Sequence, residues 1–164
     1  MLGKKLVSAP VYIPPTAGTP KEGGNTLAKT AAQMVAEAKG RIQNLTPDQV
    51  AAELEGGDAL LVDLREPEER AQNGIIPGAI HAPRGMLEFY ADPSTPYHRA
   101  EFDPNRRIIL HCSAGSRSAL GAGVLQDMGY TNVAHLDGGF NAWTESGKPL
   151  ETQESYSASD IEGC

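Results

Sequence analysis

Apolar residues occur along the chain in two patterns. One has helical spacing, and the other consists of short continuous runs. In residues 27–42 they return every three to four positions, which predicts an amphipathic helix. A second helix is predicted to begin after Thr46, which caps it, with Pro47 in the first turn and Gln49 completing a capping box. Gly56 is predicted to end this helix.

The short apolar runs predict strands because they are too brief for helices. Strands are expected within 59–65, 107–112 and 132–136, and a turn followed by a very short strand within 76–83. The intervening segments predict helices at 67–74, 116–129 and 139–147. Strands that alternate with helices over 45–150 predict a parallel sheet covered on both faces, an α/β fold. Ligands of such sheets bind at the carboxyl ends of the strands, and Cys112 follows one.

The same pattern divides the chain into four parts. Residues 1–24 are predicted to be extended or disordered, 25–43 to hold an N-terminal helix, 44–150 to form the α/β domain and 151–164 to be a loose acidic tail. Helix 27–42 is interpreted either as a docking helix or as a homodimer contact. A long loop is expected at 84–106, with one helical turn around Met86–Tyr90.

Composition narrows the class of protein. The 164 residues are 40% hydrophobic and carry a formal charge of −7, which disfavours duplex nucleic acid and anionic membranes as partners. The two cysteines, Cys112 and Cys164, exclude a disulfide-dense secreted scaffold. No apolar run reaches the roughly 18 residues that span a membrane. We therefore expect a cytoplasmic protein without a nucleic-acid or membrane partner.

Candidate chemistry lies in "HCSAGSRSA", residues 111–119. The helix predicted after this segment points its positive end at Cys112, small residues let backbone N–H groups turn inward, and Arg117 adds a cation. Together these features favour a reactive thiolate. The alternative is an inert buried cysteine, since free cysteine is often a core residue. His111 either orients the loop or is structural, and Ser116 and Ser118 either bind an anion or, as we favour, cap the helix.

Four stretches resemble the rhodanese family of sulfurtransferases, in the family's order and over about residues 45–150. They are "LLVDLREPEE" (60–69), "GIIPGAIHAP" (74–83), "IILHCSAGSRSALGA" (108–122) and "LDGGFNAW" (136–143). The resemblance implies a doubly wound α/β domain of about five parallel strands flanked by helices, here with an N-terminal helical extension. It also implies that Cys112 is the catalytic nucleophile, which carries sulfane sulfur as a persulfide without a separate cofactor.

The resemblance also implies roles for the surrounding residues. The cysteine loop is expected to bind the substrate, through Ser113, Ala114, Gly115, Ser116, Arg117 and Ser118. Asp63, Arg65 and His111 are expected to be structural supports. Gly138 and Gly139 are expected to supply backbone freedom and Trp143 a core contact. The four histidines show no metal-ligand spacing with the cysteines, so no metal is expected.

The length of the loop separates sulfur from phosphate chemistry. Cysteine-dependent phosphatases place five residues between cysteine and arginine, whereas four separate Cys112 from Arg117. The shorter loop suits a sulfur atom on the cysteine better than a phosphoryl or arsenate group. A phosphatase also needs a general acid, for which Asp92 in the long loop is a candidate without supporting context. A phosphatase or arsenate reductase and a non-catalytic rhodanese-like binding module are the alternatives.

The expected partners are small molecules and thiols. The donor is a small anion such as thiosulfate, and the acceptor is cyanide or a thiol, which includes a protein thiol. Side chains of the long loop are interpreted either as an acceptor-selecting rim or as packing anchors: Phe89, Tyr90, Tyr97 and His98. Arg84 is a candidate for a positive entrance to the site. Cys164 is interpreted as an incidental thiol, a sulfur acceptor or half of an intermolecular disulfide.

Overall fold

Strands and helices alternate in the computed structural model, which describes residues 27–152; the fold is that of residues 31–152. The helices are α1 Ala31–Arg41, α2 Pro47–Glu55, α3 Pro67–Asn73, α4 Leu87–Ala91, α5 Ser116–Asp127 and α6 Gly139–Glu145, and a 3-10 turn, Arg84–Met86, precedes α4. The strands are β1 Gln43–Leu45, β2 Leu60–Asp63, β3 Ile80–His81, β4 Ile108–His111 and β5 Val133–Leu136. Within this range, every helix is too short or too polar to cross a bilayer.

The five strands form one parallel sheet in the order β1-β5-β4-β2-β3. The central strand β4 pairs with β2 through Ile109 opposite Leu61, and with β5 through Ile109 opposite Ala134. Because all strands run the same way, their carboxyl ends meet at one edge of the sheet. The prediction of a five-stranded α/β fold is confirmed, and Cys112 lies at that edge, directly after the central strand.

Both faces of the sheet are buried, which explains why β2 and the central strand β4 contain continuous apolar runs. Ile108 and Leu110 point to a core that includes side chains of α1, α4 and α5. Ile109, between them, points to a second core on the opposite face with Val50 of α2 and Trp143 of α6. Alternation along a strand therefore fills two separate cores.

The predicted start of α2 is confirmed in detail. Thr46 Oγ1 accepts a hydrogen bond from the backbone N–H of Gln49 at 3.2 Å, and Gln49 Oε1 accepts one from the N–H of Thr46 at 2.9 Å. Pro47 occupies the first helical position, where its missing N–H costs no hydrogen bond.

The first helix and the first strand differ from the prediction. Helix α1 begins at Ala31 rather than at residue 27, and it buries Ala38 and joins Arg41 to Asp127 of α5 by an ion pair of 2.7 Å. This packing is that of a docking helix, and the homodimer contact stays a prediction. Strand β1 was not predicted, because its three residues contain one buried apolar side chain, Leu45, and no apolar run.

The segment 1–24 and Cys164 lie outside the described residues, as does most of the expected tail 151–164. Glu151, the first residue of the expected tail, is held in the fold. Its backbone exchanges two hydrogen bonds with Ile75, at 2.8 and 2.9 Å. The helical turn expected in the loop 84–106 is present as the 3-10 turn and α4. The proposed boundaries between the four parts stay predictions.

Candidate active site

The cysteine loop joins the central strand to α5 through a glycine that no other residue replaces easily. Gly115 has a φ of +101°, and a Cβ there would lie 3.2 Å from the backbone nitrogen of Gly138. Gly115 is also the N-cap of α5, and no side chain caps this helix. The expectation that Ser116 or Ser118 caps it is therefore wrong, because the chain turns at Gly115 and directs the Ser118 hydroxyl toward the interior.

The sulfur of Cys112 is enclosed and held by hydrogen bonds. The residue is 1% exposed. The backbone N–H of Gly115 donates to Sγ at 3.1 Å, and Ser118 Oγ lies 3.6 Å from Sγ. An N–H aimed at sulfur near the N-terminus of a helix favours negative charge on that sulfur. This arrangement matches the inward-turned backbone expected from the small residues of the loop.

Arg117 is bound by a carboxylate that the sequence analysis did not single out. Its Nη1 and Nη2 donate to the two carboxylate oxygens of Glu69 in α3, both at 2.7 Å, and the Ser113 hydroxyl donates to the same carboxylate at 2.6 Å. The hydrogen bonds from Arg117 hold the pKa of Glu69 far below its usual range, and Glu69 raises the pKa of Arg117. The guanidinium therefore stays charged, but its charge is balanced before any substrate arrives.

Asp63 and Arg65 form a buried ion pair beneath the loop. Arg65 donates to both carboxylate oxygens of Asp63, at 3.0 and 2.8 Å, and to the carbonyl oxygen of Gly74 at 2.8 Å. Both side chains are fully buried, and the Arg65 guanidinium lies 3.9 Å from the ring centre of Phe140. Burial opposes the charge on Asp63, but hydrogen bonds from Arg65 and the charges around the carboxylate together keep the pKa of Asp63 below its usual value.

His111 contacts the backbone of Cys112 rather than its sulfur. Its Nδ1 lies 3.3 Å from the carbonyl oxygen of Cys112, and its Nε2 lies 3.6 Å from Asp63 Oδ2. Burial lowers the pKa of His111 to about 4, although Asp63 acts in the opposite direction. His111 is therefore neutral at physiological pH. This geometry is that of a supporting residue.

The start of α6 supports the cysteine loop from beneath. The backbone N–H groups of Phe140 and Asn141 donate to the carbonyl oxygens of Cys112 and Ser113, at 2.8 and 3.0 Å. A Cβ at Gly139 would lie 2.5 Å from the Cys112 carbonyl oxygen, so only glycine allows this approach. The backbone freedom expected at the glycine pair thus allows α6 to hold the backbone of Cys112 and Ser113.

Comparison with known proteins places this site in a family. A model of the Rhodanese-like domain matches residues 46–146, which include the whole cysteine loop. The chain belongs to the rhodanese-like family.

Several relatives of this rhodanese-like domain are named sulfurtransferases. Thiosulfate sulfurtransferase GlpE of Actinobacillus succinogenes is 29% identical over 108 residues, 66% of this chain and 89% of the relative. The solved thiosulfate sulfurtransferase of Pseudomonas aeruginosa is 27% identical, with a TM-score of 0.61 over 80% of this chain and 25% of that one. A solved Rhodopseudomonas palustris protein, described as of unknown function and a possible tyrosine phosphatase, is 40% identical, with a TM-score of 0.73 over 82% of this chain and 100% of that one.

The long loop of the rhodanese-like domain uses its aromatic residues in two ways. Tyr90 packs against the core, and its carbonyl oxygen lies 3.0 Å from His98 Nδ1, so these two residues anchor the loop. Phe89 and Tyr97 form an exposed edge-to-face pair with ring centres 6.4 Å apart. Arg84 is paired with Glu88 at 2.8 Å. A role of this loop in acceptor selection stays a prediction.

Two further polar residues connect to the rhodanese-like site, one from β5, beside β4, and one from β1, a strand further away. His135 of β5 lies 2.9 Å from the Ser118 hydroxyl through Nδ1, and its Nε2 lies 2.8 Å from Asn44 Oδ1 of β1. Neither residue has a local pattern that marks it as functional. The signal that could have found His135 and Glu69 is their place near the carboxyl ends of the strands beside β4: His135 is the last residue but one of β5, and Glu69 lies in the helix that follows β2.

Proposed function

We propose that this rhodanese-like domain is a sulfurtransferase that carries sulfane sulfur on Cys112. The observation that carries the proposal is the enclosed sulfur itself. Sγ accepts the Gly115 N–H within a loop that has four residues between Cys112 and Arg117. The same N–H would stabilise a terminal sulfur on the cysteine, as an oxyanion hole stabilises oxygen. Relatives named thiosulfate sulfurtransferase support this chemistry.

The reaction has two half-reactions of the ping-pong type. The Cys112 thiolate attacks the outer sulfur of thiosulfate, the sulfur–sulfur bond of the donor breaks, and sulfite leaves with the bonding electron pair. Cys112 is then a persulfide. An acceptor nucleophile attacks the terminal sulfur and the Sγ–S bond breaks. Cyanide leaves as thiocyanate, a thiol leaves as a persulfide, and the thiolate is regenerated.

The pairing of Arg117 with Glu69 changes the expected role of the arginine. A bidentate ion pair fixes the guanidinium plane, and through Ser113 it fixes the loop. Nη2 gives its second N–H to Ser113 Oγ at 3.2 Å, so Arg117 directs the second N–H of Nη1 to an anionic donor, from a site with little net charge. We therefore assign most of the recognition of the donor to hydrogen bonds and to the positive end of α5 rather than to an unpaired cation.

A phosphatase is the second candidate function, because a solved relative at 40% identity is described as a possible tyrosine phosphatase. The residue proposed as general acid does not support it. Asp92 Oδ1 accepts hydrogen bonds from the backbone N–H and the hydroxyl of Ser94, at 2.8 and 2.7 Å. These bonds lower the pKa of Asp92, so it is a carboxylate at neutral pH and has no proton to donate.

One experiment separates the candidate functions. The protein and its Cys112→Ser variant are incubated with thiosulfate, and intact mass is measured before and after cyanide is added. A gain of one sulfur atom that cyanide removes, absent from the variant, supports the proposal. No gain, or an equal gain in the variant, overturns it. Hydrolysis of p-nitrophenyl phosphate by the wild type, lost in the variant, would instead indicate a phosphatase, and neither activity would indicate a binding module.

A further inference from the structure

A chain of hydrogen bonds, buried from Cys112 as far as His135, runs from the nucleophile across two strands of the sheet. It begins at Cys112 Sγ, passes Ser118 Oγ at 3.6 Å and His135 Nδ1 at 2.9 Å, and ends at Asn44 Oδ1, 2.8 Å from His135 Nε2. Ser118 and His135 are both fully buried. The two half-reactions above leave this chain without a use.

The far end of the chain fixes the direction of its hydrogen bonds. The Nδ2 group of Asn44 lies 2.9 Å from the carbonyl oxygen of Lys39 and 3.2 Å from that of Ile42, so it donates to both. Oδ1 of Asn44 is therefore the atom that faces His135, and it only accepts. His135 Nε2 must then carry the ring proton, which leaves a lone pair on Nδ1.

This tautomer determines what Ser118 does. The lone pair on His135 Nδ1 accepts the hydroxyl hydrogen of Ser118, although the carbonyl oxygen of Gly115 is a second acceptor at 3.2 Å. The lone pairs of Ser118 Oγ are then free to accept the thiol hydrogen of Cys112. At rest the bonds run in one direction, from the thiol to the hydroxyl to the imidazole.

We propose that His135 is the proton acceptor for Cys112 and that it acts through Ser118. The S–H bond of Cys112 breaks, its electron pair stays on Sγ, and its proton passes to Ser118 Oγ. The original hydroxyl proton of Ser118 passes to His135 Nδ1. Both hydrogen bonds reverse, so the protonated ring donates to Ser118 and Ser118 donates to the thiolate. When an incoming proton regenerates the thiol, the same steps run backwards.

The surroundings of His135 suit a base that is charged only while the sulfur is charged. Burial lowers the pKa of His135 to about 4, so the ring is neutral at rest. Asp137 Oδ1 lies 4.0 Å from Nε2 and favours the protonated ring, while Lys39, paired with Asp137 at 2.7 Å, opposes it. The thiolate created by the transfer adds a second negative charge near the ring, so each group raises the other's tendency to ionise.

His135 is thus a positioning residue, and its role deepens the proposed function. This role rests on the proposed function only in taking Cys112 as the nucleophile. Its test does not require sulfur transfer. In a Cys164→Ser background, Cys112 is the sole cysteine. The rate of its alkylation by iodoacetamide is measured by intact mass as a function of pH. A failure of thiosulfate to load the protein would leave this measurement intact, so the two proposals can fail separately.

His135→Asn is the decisive variant, because the asparagine amide still accepts the Ser118 hydroxyl but cannot take a proton. The midpoint of the alkylation profile should rise by at least about one pH unit, which makes alkylation about tenfold slower near neutral pH with an unchanged plateau at high pH. Ser118→Ala should produce the same shift, and the double variant no more. His81→Asn, the same change at a histidine whose Nε2 contacts Arg65 O, should leave the midpoint unchanged. An unshifted midpoint in folded His135→Asn overturns the proposal.

A second variant keeps the test decisive if His135→Asn does not fold. Asn44→Asp places a carboxylate beside Nε2, which stabilises the protonated ring. The midpoint should then move to lower pH, a change that general damage to the fold would not produce. A midpoint that stays in place or rises in folded Asn44→Asp overturns the proposal.

Discussion

Replacing Gly139 by alanine tests whether the α6 start holds the nucleophile in place. A Cβ there would lie 2.5 Å from the carbonyl oxygen of Cys112 and 2.7 Å from the carbonyl carbon of Ser113. Both obstacles are backbone atoms, so no side-chain rotation relieves the overlap. To restore an ordinary contact of 3.4 Å, the loop and the helix start must separate by about 0.9 Å.

The expected loss of free energy of unfolding has two parts, which a control variant separates. Gly139 has a φ of +60°, and a left-handed backbone costs alanine about 1–2 kcal/mol. The separation also weakens two hydrogen bonds to the cysteine loop, each worth about 1 kcal/mol. The expected loss is therefore about 3–4 kcal/mol. Gly129→Ala isolates the backbone term, because its φ is +101° and its Cβ would meet nothing within 4 Å, so we expect a loss of about 1–2 kcal/mol.

Urea unfolding followed by circular dichroism measures the free energy of unfolding of both variants. The rate at which thiosulfate loads sulfur measures the reactivity of Cys112. A displacement near 1 Å in a catalytic group costs about a hundredfold in rate, so Gly139→Ala should load sulfur about a hundred times more slowly. Gly129→Ala should load at the wild-type rate. Equal destabilisation of the two variants, or wild-type loading by folded Gly139→Ala, would refute the role assigned to the contact.

Three further predictions concern charge, pH and local structure. Glu69→Gln removes the charge that balances the nearby guanidinium, so KM for thiosulfate should fall roughly threefold to tenfold at low salt and less at high salt; a KM independent of salt would contradict this. Burial lowers the pKa of His111 and His135 to about 4, whereas unfolded histidine titrates near about 6.5. The unfolded chain therefore binds protons first, and the free energy of unfolding should fall as pH drops from about 6.5 to 4, by up to about 1.4 kcal/mol per pH unit for each histidine; urea titrations that give a flat profile would contradict it. Thr46→Ala should cost about 1 kcal/mol in urea unfolding, and Ser116→Ala, which removes no cap, should cost less.

The sequence predicted the elements whose local patterns are strong. The buried strands β2 and β4 contain continuous apolar runs, β5 is apolar except for His135, and the capping box of α2 is a local signal that needs no tertiary context. Strand β1 has neither property, since it is defined by its pairing with β5 and two of its three residues are exposed. Strand β1 exists because of its tertiary contacts, and only the family resemblance implied a fifth strand.

The residues of the candidate site divide in the same way, into those marked by a local pattern and those placed there by tertiary contacts. The cysteine loop could be singled out from the sequence because its residues follow Cys112 directly, and the substrate-binding roles of Ser113 to Ser118 stay predictions. The serine caps were predicted wrongly, since the positive φ of Gly115 reverses the chain before the helix and this geometry is invisible in composition. The carboxylate of Glu69 was missed because it lies 48 residues from Arg117 along the chain.

The strand order explains which distant residues reach the cysteine loop. Because β4 lies between β2 and β5, a residue that follows either neighbour can contact the loop after β4. Glu69 follows β2 and Gly139 follows β5, and both contact the cysteine loop. His81 ends β3, which β2 separates from β4. Its Nε2 contacts the carbonyl oxygen of Arg65, just after β2, rather than the cysteine loop. Asn44 is also two strands away, on β1, and it connects to Cys112 only through the intervening His135. If residues beside the central strand position the nucleophile, substitutions at Glu69 and His135 should alter Cys112 reactivity more than an equally conservative change at His81.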